Sequence, residues 1–246
     1  MVSAEQLQKE IHDMVIRAVT GISDDVKLPL EQALERETSK RSQDILRSML
    51  NNMEVARKQD KAVCQSPGYP TTYVLYGDDF SPKGLKEAVG ASVLEATKRG
   101  YLRPSIVDPL TRENSGDNTG KGVPNIEYLY KTGMPYTDIV ISFKGCGAEL
   151  GNAMEILTPA KLGEGLKGLK RFCTRDRPER GREAVSALRH RHRRQMDIAA
   201  RLSRFAISTR RWDDINPDPE LAALEAELKD SINALKLGAA GIDGDT

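Results

Sequence analysis

Three short stretches hold residues whose types and spacing can do chemistry. Cys64-Gln65-Ser66-Pro67-Gly68 puts a thiol, a carboxamide and a hydroxyl on consecutive positions, in a polar stretch stiffened by Pro67 and Pro70. A thiolate is a nucleophile and a ligand for soft metals, although a lone cysteine is more often a small buried hydrophobe. Arg103, in Tyr101-Leu102-Arg103-Pro104, can grip a carboxylate with two parallel N–H donors. An isolated loop arginine is ordinarily a solvated cation. Lys144-Gly145-Cys146-Gly147 follows an apolar run. Its glycines let backbone approach a ligand, and successive N–H groups can cradle an anion. It lacks P-loop or GxGxxG spacing, so an ordinary strand-end turn explains it equally well. Asn114, Asp117 and Asn118, with Gly116 and Gly120, superficially suggest a calcium loop. The closing Glu of an EF-hand is absent, and a flexible loop is expected.

The elements that must position these residues follow from periodicity. Apolar residues Ile11, Met14, Val15 and Ala18, and again Ile45, Leu46, Met49, Leu50 and Met53, recur at helical spacing and predict two helices, roughly 3–20 and 30–58. From Ala62 a Pro/Gly-bearing loop feeds a β-rich run, Thr71–Tyr76. Ser81-Pro82 has the form of a cap followed by an N1 proline and predicts a helix closed by Gly100. Short strands are expected at Ser105–Val107, Ile126–Tyr130 and Asp138–Phe143. Thr158-Pro159 predicts a helix to Phe172, and Asp218-Pro219 another closed by Gly238. Alternating strands and helices indicate an α/β, or mixed α+β, fold: a helical N-terminal region followed by a mixed sheet with packed helices.

Composition removes whole classes. The 246 residues carry 37 Lys+Arg against 36 Asp+Glu, a net charge of +1, so a whole-chain polybasic binder is excluded. No apolar run approaches a membrane span, and the first residues, MVSAEQLQKEIHDM, lack the apolar core of a secretory signal. Three cysteines without a CxxC do not make a disulfide scaffold, and a reduced cytoplasmic chain is expected. One segment stands apart: residues 171–194 hold nine Arg and no Lys. His190 and His192 lie within it among Arg189, Arg191, Arg193 and Arg194, with no aromatics interleaved for base stacking. No nucleic-acid partner is expected.

Taken together, AVCQSPG (62–68), EATKRGYLRPSIVDPL (95–110), NTGKGVPNIEY (118–128), DIVISFKGCGAELGNAMEILTP (138–159) and QMDIAARLSR (195–204) resemble the alpha subunit, or N-terminal domain, of the class I iron–sulfur fumarate hydratase and L(+)-tartrate dehydratase family. The likeness runs through nearly the whole chain in order, apart from 173–194. It implies one iron–sulfur hydro-lyase domain over 1–246. Within it, 1–60 is helical, 61–172 carries the cluster and substrate loops on a mixed sheet, 173–194 is the anomalous basic segment and 195–246 is helical and truncated. The chemistry implied is reversible hydration of a small dicarboxylate, fumarate to malate or the tartrate counterpart. A [4Fe–4S] cluster held by three cysteines serves as Lewis acid. By resemblance Cys64 is the first cluster ligand, Gln65 and Ser66 occupy substrate-binding positions, Arg103 pairs with a substrate carboxylate, and Gly147 offers a backbone contact. Ser66 and Pro67 stand where the family usually has Asp and Thr. Cys146 stands where many relatives have Gly and is not assigned as a ligand. The general base is placed outside this chain, and a beta subunit and an oligomer are implied.

The family's second cluster cysteine, in a Pro-Cys-Pro-Pro motif, is missing here, and the chain stops at Gly241-Ile-Asp-Gly-Asp-Thr246, before the position of the third. Back-translation offers a reason. Read one base later, the codons of Arg189–Arg194 permit Gly-Ile-Gly-Ile-Gly, and those of Glu183–Ala187 permit Lys-Pro-Cys-Pro-Pro. Residues 173–194 therefore read as a compensated frameshift. As written, the chain retains one of the three ligands, which predicts little cluster binding and no turnover. It would then be a remnant that pairs with a beta subunit.

Overall fold

The computed structural model describes residues 3–145, 153–175 and 196–245. The chain folds as two compact units, each assembled from two separated segments: Met1–Ile22 with Asn52–Leu150, and Ser23–Asn51 with Gly151–Thr246.

The first unit joins helices α1 (Ala4–Thr20) and α4 (Leu85–Lys98) to strands β1 (Tyr69–Tyr76), β2 (Asn125–Tyr130) and β3 (Asp138–Lys144). The sheet order is β2-β1-β3, with β1 parallel to β2 and antiparallel to β3, so the expected mixed sheet is present. Ser3 opens α1 by accepting the Gln6 N–H at 3.1 Å. The stripe Ile11, Val15 and Val19 packs in one core with Val74 of β1 and Leu85, Val89 and Val93 of α4. Cross-strand pairing sets Val74 opposite Ile139 and Thr72 opposite Ile141. The side-chain period of two then turns the apolar residues to one face. Burying these side chains contributes about 1.5–3 kcal/mol each.

Helices α2 (Asp24–Arg36), α5 (Pro159–Leu162), α6 (Lys167–Arg175), α7 (Met196–Thr209) and α8 (Pro219–Asn233) belong to the second unit, and α3 (Lys40–Gln59) contributes to both. Cys173, Leu224 and Leu228 are buried together there, with Leu169 and Phe172 against them. Arg210 donates two 2.7 Å hydrogen bonds to the Glu225 carboxylate, which also accepts from Asn216 at 2.9 Å.

Several boundaries differ from the sequence-based expectation. The single helix expected over 30–58 is two helices, with Pro29 inside α2. The break falls at Glu37, whose backbone is extended and whose side chain is only 3% exposed. Its carboxylate accepts the N–H groups of Ser39 and Asp245 at 2.9 and 3.0 Å. Ser81-Pro82 opens no helix. The chain first makes a turn that ends at Gly84 (φ +83°), and α4 starts at Leu85. Ser105–Val107 forms no strand, only a bridge from Val107 to Asn114. Thr158 caps as expected, but Gly163 and Gly165, both at positive φ, divide the expected 159–172 helix. Asp218 caps α8, which ends at Asn233; Gly238 instead precedes a short 3-10 turn. No described helix is long and apolar enough to cross a membrane.

Candidate functional site

Residues 61–68 run from α3 into the central strand, and hydrogen bonds fasten them along their length. The Val63 N–H reaches the last turn of α1 at the Val19 carbonyl (2.8 Å), and the Val63 carbonyl accepts from Asn52 (2.8 Å). The Gly68 N–H donates to the Lys144 carbonyl at the end of β3 (3.0 Å). Between these anchors Cys64 is exposed, and the Ser66 N–H donates to its sulfur at 3.4 Å.

Helix α4 delivers Arg103 to the same place. Gly100 (φ +80°) ends the helix, the Tyr101 N–H returns to the Ala96 carbonyl (2.9 Å), and Leu102 is buried in the core. The Arg103 N–H then donates to the Pro67 carbonyl at 2.9 Å. Two glycines permit the close approach. A side chain at Gly68 would collide with the Arg103 carbonyl and Ser105, and one at Gly145 would collide with the Ser66 side chain. The Tyr101 hydroxyl donates to Asp60 at 2.5 Å, a bond that holds the phenol pKa above its usual range.

The structure therefore gathers Cys64, Gln65, Ser66, Arg103 and the Lys144–Gly145 end of β3, residues that the sequence scatters over about 80 positions. Arg103 and Gln65 are exposed, and their side chains make no hydrogen bond or ion pair among the described residues. A cation and a carboxamide with free hydrogen-bonding capacity, beside an exposed thiol, suit an anionic ligand bearing carboxylates. Gly147 and Cys146 lie outside the described residues, as does the basic segment from 176 to 195.

Sequence reading grouped Asn118 with a superficial calcium-loop pattern and missed its buried role. The loop 111–125, expected to be flexible, is fastened by short side-chain-to-backbone bonds. The Asp108 carboxylate accepts the N–H groups of Leu110 and Thr111, both at 2.8 Å, which holds its pKa below the usual range. Asn118 itself is fully buried. Only its setting before Thr-Gly, where an Asx residue tolerates positive φ, hints at a special role.

A [4Fe–4S] cluster of the kind the resemblance implies needs three thiolates. Cys64 fits one such role. Cys173 does not: it is 4% exposed in the Leu224–Leu228 cluster, and burial pushes its thiol pKa up. With three cysteines in the chain, at most two remain, and the described residues contain no group of three potential metal ligands. The donor set as written does not fit the cluster.

Comparison with known proteins agrees with the motifs. The family model described as fumarate hydratase (Fumerase) matches residues 8–246. A protein of Methanocaldococcus jannaschii, provisionally named L(+)-tartrate dehydratase subunit alpha, is 30% identical over 96% of this chain and 85% of its own length. The L(+)-tartrate dehydratase subunit alpha of Escherichia coli K12 is 29% identical over 92% of this chain and 75% of its own. A Geobacillus stearothermophilus protein, provisionally named class I fumarate hydratase, is 27% identical over 98% of this chain, which spans about half (48%) of that relative. The chain belongs to the fumarate hydratase family.

Proposed function

We propose that this chain is the alpha-type part of a hydro-lyase that adds water to, or removes it from, a small dicarboxylate. The observation that carries the reading is the 2.9 Å bond between the Arg103 N–H and the Pro67 carbonyl. It joins a loop cation that is free among the described residues to the Cys64 loop. Arg103 would take one substrate carboxylate. Gln65 and Ser66 would bond the remaining oxygens, with the Gly147 backbone as a further contact. Fumarate is the preferred substrate. L(+)-tartrate is the alternative, favoured by the names of the Methanocaldococcus and Escherichia relatives. Those names also support a beta-type partner, which would bring the acid–base group. A cytoplasmic location and an oligomeric assembly accompany the reading.

The [4Fe–4S] cofactor belongs to the proposal for the ancestral enzyme, with Cys64 as one ligand. The chain as written lacks the thiolates to complete it, and the compensated frameshift over 173–194 supplies the reason. The test pairs a nucleotide read of the gene, from codon 172 through the stop, with an anaerobic assay of fumarate hydration and tartrate dehydration. The expected result is a shifted frame that encodes Pro-Cys-Pro-Pro, no turnover by the chain as written, and oxygen-sensitive turnover by the frame-restored chain with its partner. A shifted frame without that cysteine would leave a decayed subunit that pairs with a beta-type chain. A restored chain inert toward both substrates would sink the hydro-lyase reading.

A further inference from the structure

Asn118 bridges across Pro104. Proline has no N–H, so the backbone on either side of it must find partners elsewhere. The Asn118 carboxamide supplies them: its Nδ2 donates to the Arg103 carbonyl at 2.7 Å, and its Oδ1 accepts the Ser105 N–H at 2.7 Å. The other Nδ2 hydrogen goes to Thr97 Oγ1 at 3.0 Å. The Thr97 hydroxyl in turn donates to the Val93 carbonyl at 2.8 Å, inside α4. A continuous line of hydrogen bonds thus runs from a packed helix, through Thr97 and Asn118, to the Arg103 peptide. The far side of that residue is bonded to Pro67 of the Cys64 loop. Asn118 is 0% exposed and sits at φ +57°, a conformation that asparagine tolerates better than most residues.

We propose that Asn118 is a positioning residue for Arg103, fixing its backbone on α4 against the Cys64 loop and so setting the affinity for a dicarboxylate. The proposal rests on the reading of Arg103 as the carboxylate-binding cation. Arg103 has a long side chain with several rotatable bonds, exposed and free among the described residues. Its usefulness therefore depends on how firmly its Cα is held, because pre-organisation removes part of the ordering cost of binding.

The test titrates the full chain with succinate, a dicarboxylate that cannot be dehydrated, and follows binding by calorimetry. Arg103→Met is expected to weaken binding about 10- to 100-fold, the worth of a charge-assisted hydrogen bond. Asn118→Asp keeps the acceptor for Ser105 but removes both donors; it is expected to weaken binding about tenfold, on the same scale. Thr97→Val should weaken it less, and Thr97→Ser should restore the original affinity. In an Arg103→Met background, Asn118→Asp should add almost nothing, whereas a merely structural residue would cost the same in both backgrounds. Equal costs in the two backgrounds would overturn the positioning role, as would unchanged affinity in both Asn118→Asp and Thr97→Val. If Asn118→Asp fails to fold, Thr97→Val and Thr97→Ser carry the comparison. Absence of succinate binding by the unmodified chain, or indifference to Arg103→Met, would instead overturn the reading of Arg103 and the proposal with it.

Discussion

Cys64 and Cys173 are the same side chain in opposite surroundings. Cys64 is exposed on a hydrogen-bonded loop, with the Ser66 N–H on its sulfur. Cys173 is packed among Leu169, Phe172, Leu224 and Leu228, where burial raises the pKa. Reactivity follows the accessible thiolate. Brief treatment of the native chain with iodoacetamide at neutral pH should therefore alkylate Cys64 and spare Cys173, which becomes reactive only in urea; peptide mass spectrometry separates the two. Equal modification of both in the folded state would contradict the buried position of Cys173. Sequence spacing could not make this distinction, because both cysteines lack a partnering motif and burial is set by residues about 50 positions away.

Elements are held in place by a few buried polar groups as well as by apolar faces. Asp25, in the first turn of α2, is 5% exposed. Its pKa is lowered first by a hydrogen bond from Ser23, then by the Trp212 N–H at 2.8 Å, with Arg211 also nearby at 3.8 Å. Burial opposes these effects without reversing them. A carboxyl whose folded pKa is depressed gives stability that is complete above its unfolded value of about 3.9 and is lost as pH falls through the folded one. Asp25→Asn should therefore lower the urea midpoint at pH 7, and the gap to the parent chain should begin to narrow as the pH falls below about 4. A gap that does not narrow at all as the pH falls below the unfolded value would show that the ionised form is not the stabilising one. Caps were readable beforehand where a side chain acts locally, as at Thr158 and Asp218. The α2–α3 break was not, because the Glu37 carboxylate that marks it is satisfied partly by Asp245, 208 positions away.

At the scale of the whole molecule, the thiol count decides what the chain can carry. Three cysteines, one of them sequestered, fall short of three accessible thiolates. Anaerobic incubation with ferrous iron and sulfide should leave substantially less than one [4Fe–4S] cluster per chain, measured as bound iron and acid-labile sulfide. Stoichiometric loading would mean that the written sequence assembles a ligand set after all. The near-zero net charge and the confinement of the arginine-rich run to 171–194 point the same way as the codon reading: that run departs from the rest of the chain in kind.

Local chemistry was written into the chain order. β-Branched and aromatic residues mark the strand at Thr71–Tyr76, apolar spacing marks α1, and Cys64-Gln65, Arg103 and the Gly-rich turn after β3 are visible as types and motifs. These depend on neighbours a few positions apart, which is what a sequence displays. The convergence of Cys64, Arg103 and Gly145, the burial of Asn118 and the segregation of Cys173 depend on contacts between residues far apart in the chain. Whether a polar side chain faces water or a buried peptide is settled only when the core closes and withdraws the solvent that would otherwise satisfy it.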